Sequence, residues 1–120
     1  MTLKLFTRKQ KSSGDAAEDA ALTYLKKQGL TLVCRNYRCK TGEIDLILKH
    51  AETLVFVEVR MRKSDAFGSA VETVTKSKQK KVVSAAQTYL LEKGHSANMP
   101  LRFDVVGIDG HEMSWIQDAF

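Results

Sequence analysis

The stretch from Gly42 to Arg62, GEIDLILKHAETLVFVEVRMR, constrains the fold of this chain more than any other. Residues 43–49 and 54–61 are rich in Ile, Leu, Val and Phe at strand-like length, and His50-Ala51-Glu52-Thr53 between them is polar and short. That pattern predicts a β-hairpin. A loop of two residues (51–52) or of four (50–53) gives the same register, with Lys49 opposite Leu54, Asp45 opposite Glu58 and Glu43 opposite Arg60. Side chains alternate along a strand. Ile44, Leu46 and Leu48 are therefore expected on one face, and Val55, Val57, Val59 and Met61 on one face of the partner. The opposite faces would carry Glu43, Asp45 and Ile47, then Phe56, Glu58, Arg60 and Arg62.

Two acids directly across a strand pair repel each other, and their crowding raises one carboxylate's pKa unless a cation intervenes. Mg²⁺ takes oxygen ligands, commonly one or two carboxylates completed by waters and substrate phosphate. Asp45 and Glu58 are thus candidate Mg²⁺ ligands. The alternative is a solvated sheet face whose acids pair with Lys49, Arg60 and Arg62.

On either side of the hairpin the chain alternates between helix and strand patterns. Ala17, Ala20, Ala21, Tyr24 and Leu25 recur at helical spacing and predict a helix over about 15–28, capped by Ser13 or Asp15 and stopped by Gly29. Glu18 borders its apolar stripe; it is either a surface acid or, if the helix covers the hairpin's acids, a neighbour of Asp45 and Glu58. Thr31 to Arg38 reads as a strand, and Lys40-Thr41-Gly42 turns into the hairpin. A second helix is expected over about 76–92, with Thr75 as its cap and Val82, Val83, Ala86, Tyr89 and Leu90 as its buried stripe. Leu101 to Ile108 reads as a strand, and a short last one is expected around Trp115. The order α-β-β-β-α-β(-β) places the chain in the α/β or α+β class, and the crossover after Arg62 is long enough for a parallel neighbour.

Lys76, Lys78, Lys80 and Lys81 crowd the start of the second helix, where the dipole prefers anions. A bound phosphate would resolve that conflict; a solvated basic face is the other reading. The formal charge of +5 suits a polyanionic partner. Residues 1–12 carry Lys4, Arg8, Lys9 and Lys11 and are expected to form a flexible basic arm, leaving 13–120 as one domain. The chain has no apolar run near the ~18 residues of a membrane span and no signal-peptide pattern, so a cytoplasmic protein is expected. Cys34 and Cys39 lack the further ligands of a zinc set and are expected to be free thiols.

The ordered motifs EDAALTYL (18–25), RNYR (35–38), GEIDLI (42–47), VFVEVR (55–60), Phe67-Gly68, the lysine-to-Tyr89-Leu90 helix, RFDVV (102–106) and Ala119-Phe120 span nearly the whole chain. In this the chain resembles the YraN family of small bacterial proteins, grouped with Holliday-junction-resolvase and restriction-endonuclease-like nucleases. The resemblance implies a restriction-endonuclease-like core, a mixed four- to five-stranded sheet flanked by helices. It further implies Mg²⁺- or Mn²⁺-dependent hydrolysis of phosphodiester bonds in structured or branched DNA. Asp45 and Glu58 would hold the metal, joined by Glu18. Arg60 occupies the position of the motif lysine, and arginine cannot serve as a base because it stays protonated. It would instead contact the scissile phosphate, oriented by Glu43. Arg62 and the four helix lysines would hold nucleic acid. Nucleases of this class often act as two-fold dimers, so a homodimer is compatible with the resemblance. A non-catalytic nucleic-acid-binding protein on the same fold is the alternative that Arg60 raises.

Overall fold

The computed structural model describes residues 13–63, 69–95 and 98–120. The expected arm (1–12) and the Phe67-Gly68 motif lie outside them. Among the described residues the order is α1 (Ser13–Lys27), β1 (Thr31–Cys39), β2 (Gly42–His50), β3 (Thr53–Arg62), a 3-10 turn (Val71–Thr73), α2 (Lys76–Lys93), β4 (Leu101–Asp109) and β5 (Glu112–Ile116). The strands form one mixed sheet in the order β1-β2-β3-β4-β5, antiparallel except for β3 against β4. This is the expected α+β order, with the parallel pair made by the crossover through α2. No helix among the described residues is long and apolar enough to cross a membrane.

The two helices cover opposite faces of the sheet. Under α1 lie Ala17, Ala21, Leu22 and Leu25, packed on Leu46, Leu48, Val55, Val57, Val106 and Ile108. Under α2 lie Val82, Ala85, Ala86 and Tyr89, packed on Ile44, Ile47, Leu54 and Phe56. A strand buried on both faces needs an almost continuous apolar run rather than alternation, which is why Leu54 to Val57 and Leu46 to Leu48 are all buried. Ala20 proves exposed, and Leu22 takes its place in the α1 stripe. Thr75 caps α2, its hydroxyl accepting from the Lys78 N–H at 3.1 Å, and Gly94 closes the helix in the left-handed conformation at φ 67°.

The hairpin has the two-residue loop, with Ala51 at φ 56°, and the expected register, Lys49 opposite Leu54. Its faces differ from simple alternation. Ile44 packs under α2, whereas Leu46 and Leu48 pack under α1. On the neighbouring strand Cys34 and Tyr37, three apart, both pack under α2. The inversion occurs between the pairs Arg35↔Leu46 and Tyr37↔Ile44, at Asn36 and Asp45. Asn36 takes the left-handed conformation at φ 52°, which Asn tolerates better than most residues. There is thus no separate acidic sheet face. Asp45 sits where the strand turns over.

A second buried acid closes the far side of the sheet. Asp104 is fully buried and accepts from Arg102 Nε at 3.0 and 3.1 Å, Trp115 Nε1 at 2.9 Å and the Asp118 N–H at 2.9 Å. That network ties the C-terminal segment to β4, where Phe120 stacks on Phe103.

Candidate active site at the fork of the central hairpin

Regular pairing between β2 and β3 runs from His50↔Thr53 to Leu46↔Val57 and goes no further. Beyond it Asp45 Oδ2 accepts the Val59 N–H at 2.8 Å, so a carboxylate replaces the partner carbonyl and the strands fork. Into the fork opens a cleft of about 600 Å³, lined among others by Glu18, Glu43, Asp45, Glu58, Arg60, Arg62 and Lys78. The fork brings together residues from four elements.

Glu58 is the centre of this cleft. It is 3 % exposed, and its Oε1 has no hydrogen-bond partner. A buried carboxylate oxygen left unsatisfied is costly. Burial, followed by the neighbouring charge of Asp45, pushes its pKa up to about 7, against the opposing pull of Lys78 and Arg60. Its Oε2 lies 3.3 Å from Arg60 Nε and 3.6 Å from Lys78 Nζ. Glu18, reaching in from α1, is likewise raised by burial and then by Asp45, and its Oε1 meets Arg35 at 3.4 Å. The helical acid therefore does approach the strand acids.

The donor set fits a divalent ion. Asp45 and Glu58 both line the cleft, and Glu58 has a buried oxygen without a partner and a carboxyl pushed up by burial and by the charge of Asp45. Among the described residues no three His, Cys, Asp or Glu side chains converge as a closed metal cage. Glu18 therefore does not join Asp45 and Glu58 in the one ligand set of three that the resemblance implied.

Other expected site residues separate. Glu43 lines the cleft but pairs with Arg38 across β1–β2 at 3.3 Å rather than orienting Arg60, because the fork removes the backbone pairing that would have set them opposite. Of the four lysines, Lys78 enters the acid cleft and Lys81 lies beside it at the β1–β2 turn; Lys76 and Lys80 face a different cleft around Phe120. Clustering of lysines does not by itself bring Lys78 to Glu58, but the helical period carries a signal. Lys78 stands four residues before Val82 and so extends the buried stripe Val82, Ala85, Ala86 and Tyr89 by one turn.

The uncharacterised protein family UPF0102 matches residues 17–108, a stretch that contains every acid of the cleft together with Arg60 and Lys78. The chain belongs to the UPF0102 family. A UPF0102 protein of Saccharophagus degradans is 54 % identical over 112 residues, covering 93 % of this chain and 95 % of its own. One from Ralstonia nicotianae is 50 % identical over 114 residues, covering 91 % and 86 %. One from Hahella chejuensis is 54 % identical over 112 residues, covering 89 % and 88 %.

Proposed function

We propose that this protein is a metal-dependent endonuclease that hydrolyses phosphodiester bonds in structured or branched DNA. The observation that carries this reading is the buried Glu58, with an unpartnered oxygen and a raised pKa, beside Asp45 at the fork of β2 and β3. Asp45 and Glu58 would hold Mg²⁺ or Mn²⁺, with Glu18 acting through water. Such an ion, when bound, supplies charge neutralisation and a more acidic water. Asp45 is held by the Val59 N–H on Oδ2 and lines the cleft beside Glu58. Arg60 stays protonated and stabilises charge developing on the phosphate rather than taking a proton. Lys78 brings to Glu58 the amine that Arg60 does not provide, and it favours the ionised form of that carboxylate. Arg62 lines the same cleft and would receive the backbone of the strand. A two-fold homodimer would present two such clefts to a junction that needs two cuts. Free thiols at Cys34 and Cys39 agree with a cytoplasmic setting.

The test is cleavage of a labelled four-way junction, with matched duplex and single strands, in Mg²⁺ or Mn²⁺. Metal-dependent cutting by the wild type that disappears in both Asp45→Asn and Glu58→Gln is the expected result. The second reading, a nucleic-acid-binding protein without catalysis, is favoured by the 3.3 Å contact of Arg60 with Glu58, which sets a permanent cation where the ion would compete. It predicts salt-sensitive DNA binding with no cutting in any metal.

A further inference from the structure

A second cleft, of about 580 Å³, lies between the β1–β2 turn and the first turns of α2. Arg38, Lys40, Lys78 and Lys81 line it, and the carboxylate set against them is Glu43, already held by Arg38. Lys78 is drawn toward Glu58. Cations gathered from two separate elements make a local positive potential that concentrates anions. The two elements are also locked together. A Cβ on Gly42 would lie 2.8 Å from the Lys81 carbonyl oxygen, so the turn approaches the helix as closely as glycine alone permits. The basin adjoins the acid cleft, because Glu43 and Lys78 line both. The opposite side of α2 has a different character: Lys76 and Lys80 border a cleft with Val83, Ser84, Gln87 and Phe120 that does not share residues with the acid cleft.

We infer that this basin seats a phosphodiester of the nucleic-acid strand next to the one held at the acid cleft, with Arg38, Lys40 and Lys81 as its ligands. The inference rests on the nucleic-acid reading above and adds a direction to it. The bound strand leaves the acid cleft over the β1–β2 turn, and Lys76 and Lys80 take no part.

Fluorescence anisotropy of a labelled four-way junction, without divalent metal and over a range of salt concentrations, tests this independently of cleavage. Arg38→Ala, Lys40→Ala and Lys81→Ala should each weaken binding roughly three- to ten-fold and lower the salt slope by about one. Lys76→Ala and Lys80→Ala should bind within two-fold of the wild type, on the order of experimental scatter. An equal molar amount of orthophosphate should leave the complex intact. Equal losses in both sets, no loss in the first set, a wild type that does not bind, or displacement by orthophosphate would each overturn the inference; the last would make the basin a site for free anions. The nuclease reading fails separately. A wild type that binds through Arg38, Lys40 and Lys81 but cuts nothing refutes the nuclease and leaves the basin standing. One that cuts while these variants bind normally does the reverse.

Discussion

Glu58 carries a clear energetic signature. Its folded pKa of about 7 lies above the ordinary value of 4.5, so the folded state holds this proton more tightly than the unfolded chain does. The resulting stabilisation is complete below the ordinary value and is lost as pH rises through about 7. In metal-free protein this one group costs on the order of a few kcal/mol between those limits. Glu58→Gln keeps the shape and removes the titration. Its metal-free melting temperature should vary less over that window and exceed the wild type's near about pH 8. A divalent ion binds the carboxylate and not the acid, so Mg²⁺ should raise the wild-type melting temperature more on the alkaline side than on the acid side. Parallel melting curves for wild type and variant, matching at every pH, would remove Glu58 as the source.

The elements around that residue were legible in the sequence to different degrees. Both helices and the hairpin register as far as Leu46 and Val57 followed from apolar periodicity and turn residues, because those patterns are local, and the length of the crossover allowed a parallel neighbour. The side-chain faces near the site did not. Alternation predicted Ile44 on the same face as Leu46, and the inversion at Asn36 and Asp45 defeats any strict period of two. A polar residue in the left-handed conformation inside a strand leaves only a faint trace in sequence, one asparagine among β-formers. The pairing of Glu43 with Arg38 was hidden for a related reason: strand opposition assigned Arg60, and the fork cancels it. Gly42, by contrast, was visible only as a turn residue, whereas its contact with α2 is tertiary. Gly42→Ala should lower stability by about 1–3 kcal/mol, since the atom in the way is the Lys81 carbonyl, which cannot rotate aside. The same displacement would open the basic basin, so weaker junction binding should accompany the loss in a denaturant titration. Unchanged stability would mean that turn and helix are not locked together.

At the scale of the molecule, two acids are buried among the described residues. Asp104 and Glu58 are both nearly inaccessible, at 0 % and 3 %, and they lie on neighbouring parallel strands, β4 and β3. Their surroundings are opposite. Every polar demand of Asp104 is met by Arg102, Trp115 and the Asp118 N–H, and Arg102 in turn contacts His50 Nδ1 at 3.0 Å. Such an acid is a fastener that holds β5 and the C-terminal segment against β4. Glu58 keeps an oxygen with no donor beside it and a neighbouring acid that pushes its carboxyl up, the kind of perturbation that clusters at functional sites. Substitution should therefore separate them by sign. Asp104→Ala strands Arg102 and should destabilise the protein by about 3–5 kcal/mol, the range for breaking one side of a buried ion pair. Glu58→Gln should leave the metal-free fold as stable as the wild type or more so, while abolishing stabilisation by Mg²⁺. Chemical denaturation of the two variants at one neutral pH, with and without the ion, reads both effects together. If both substitutions proved equally destabilising, Glu58 would be one more fastener and the cleft would lose its central ligand.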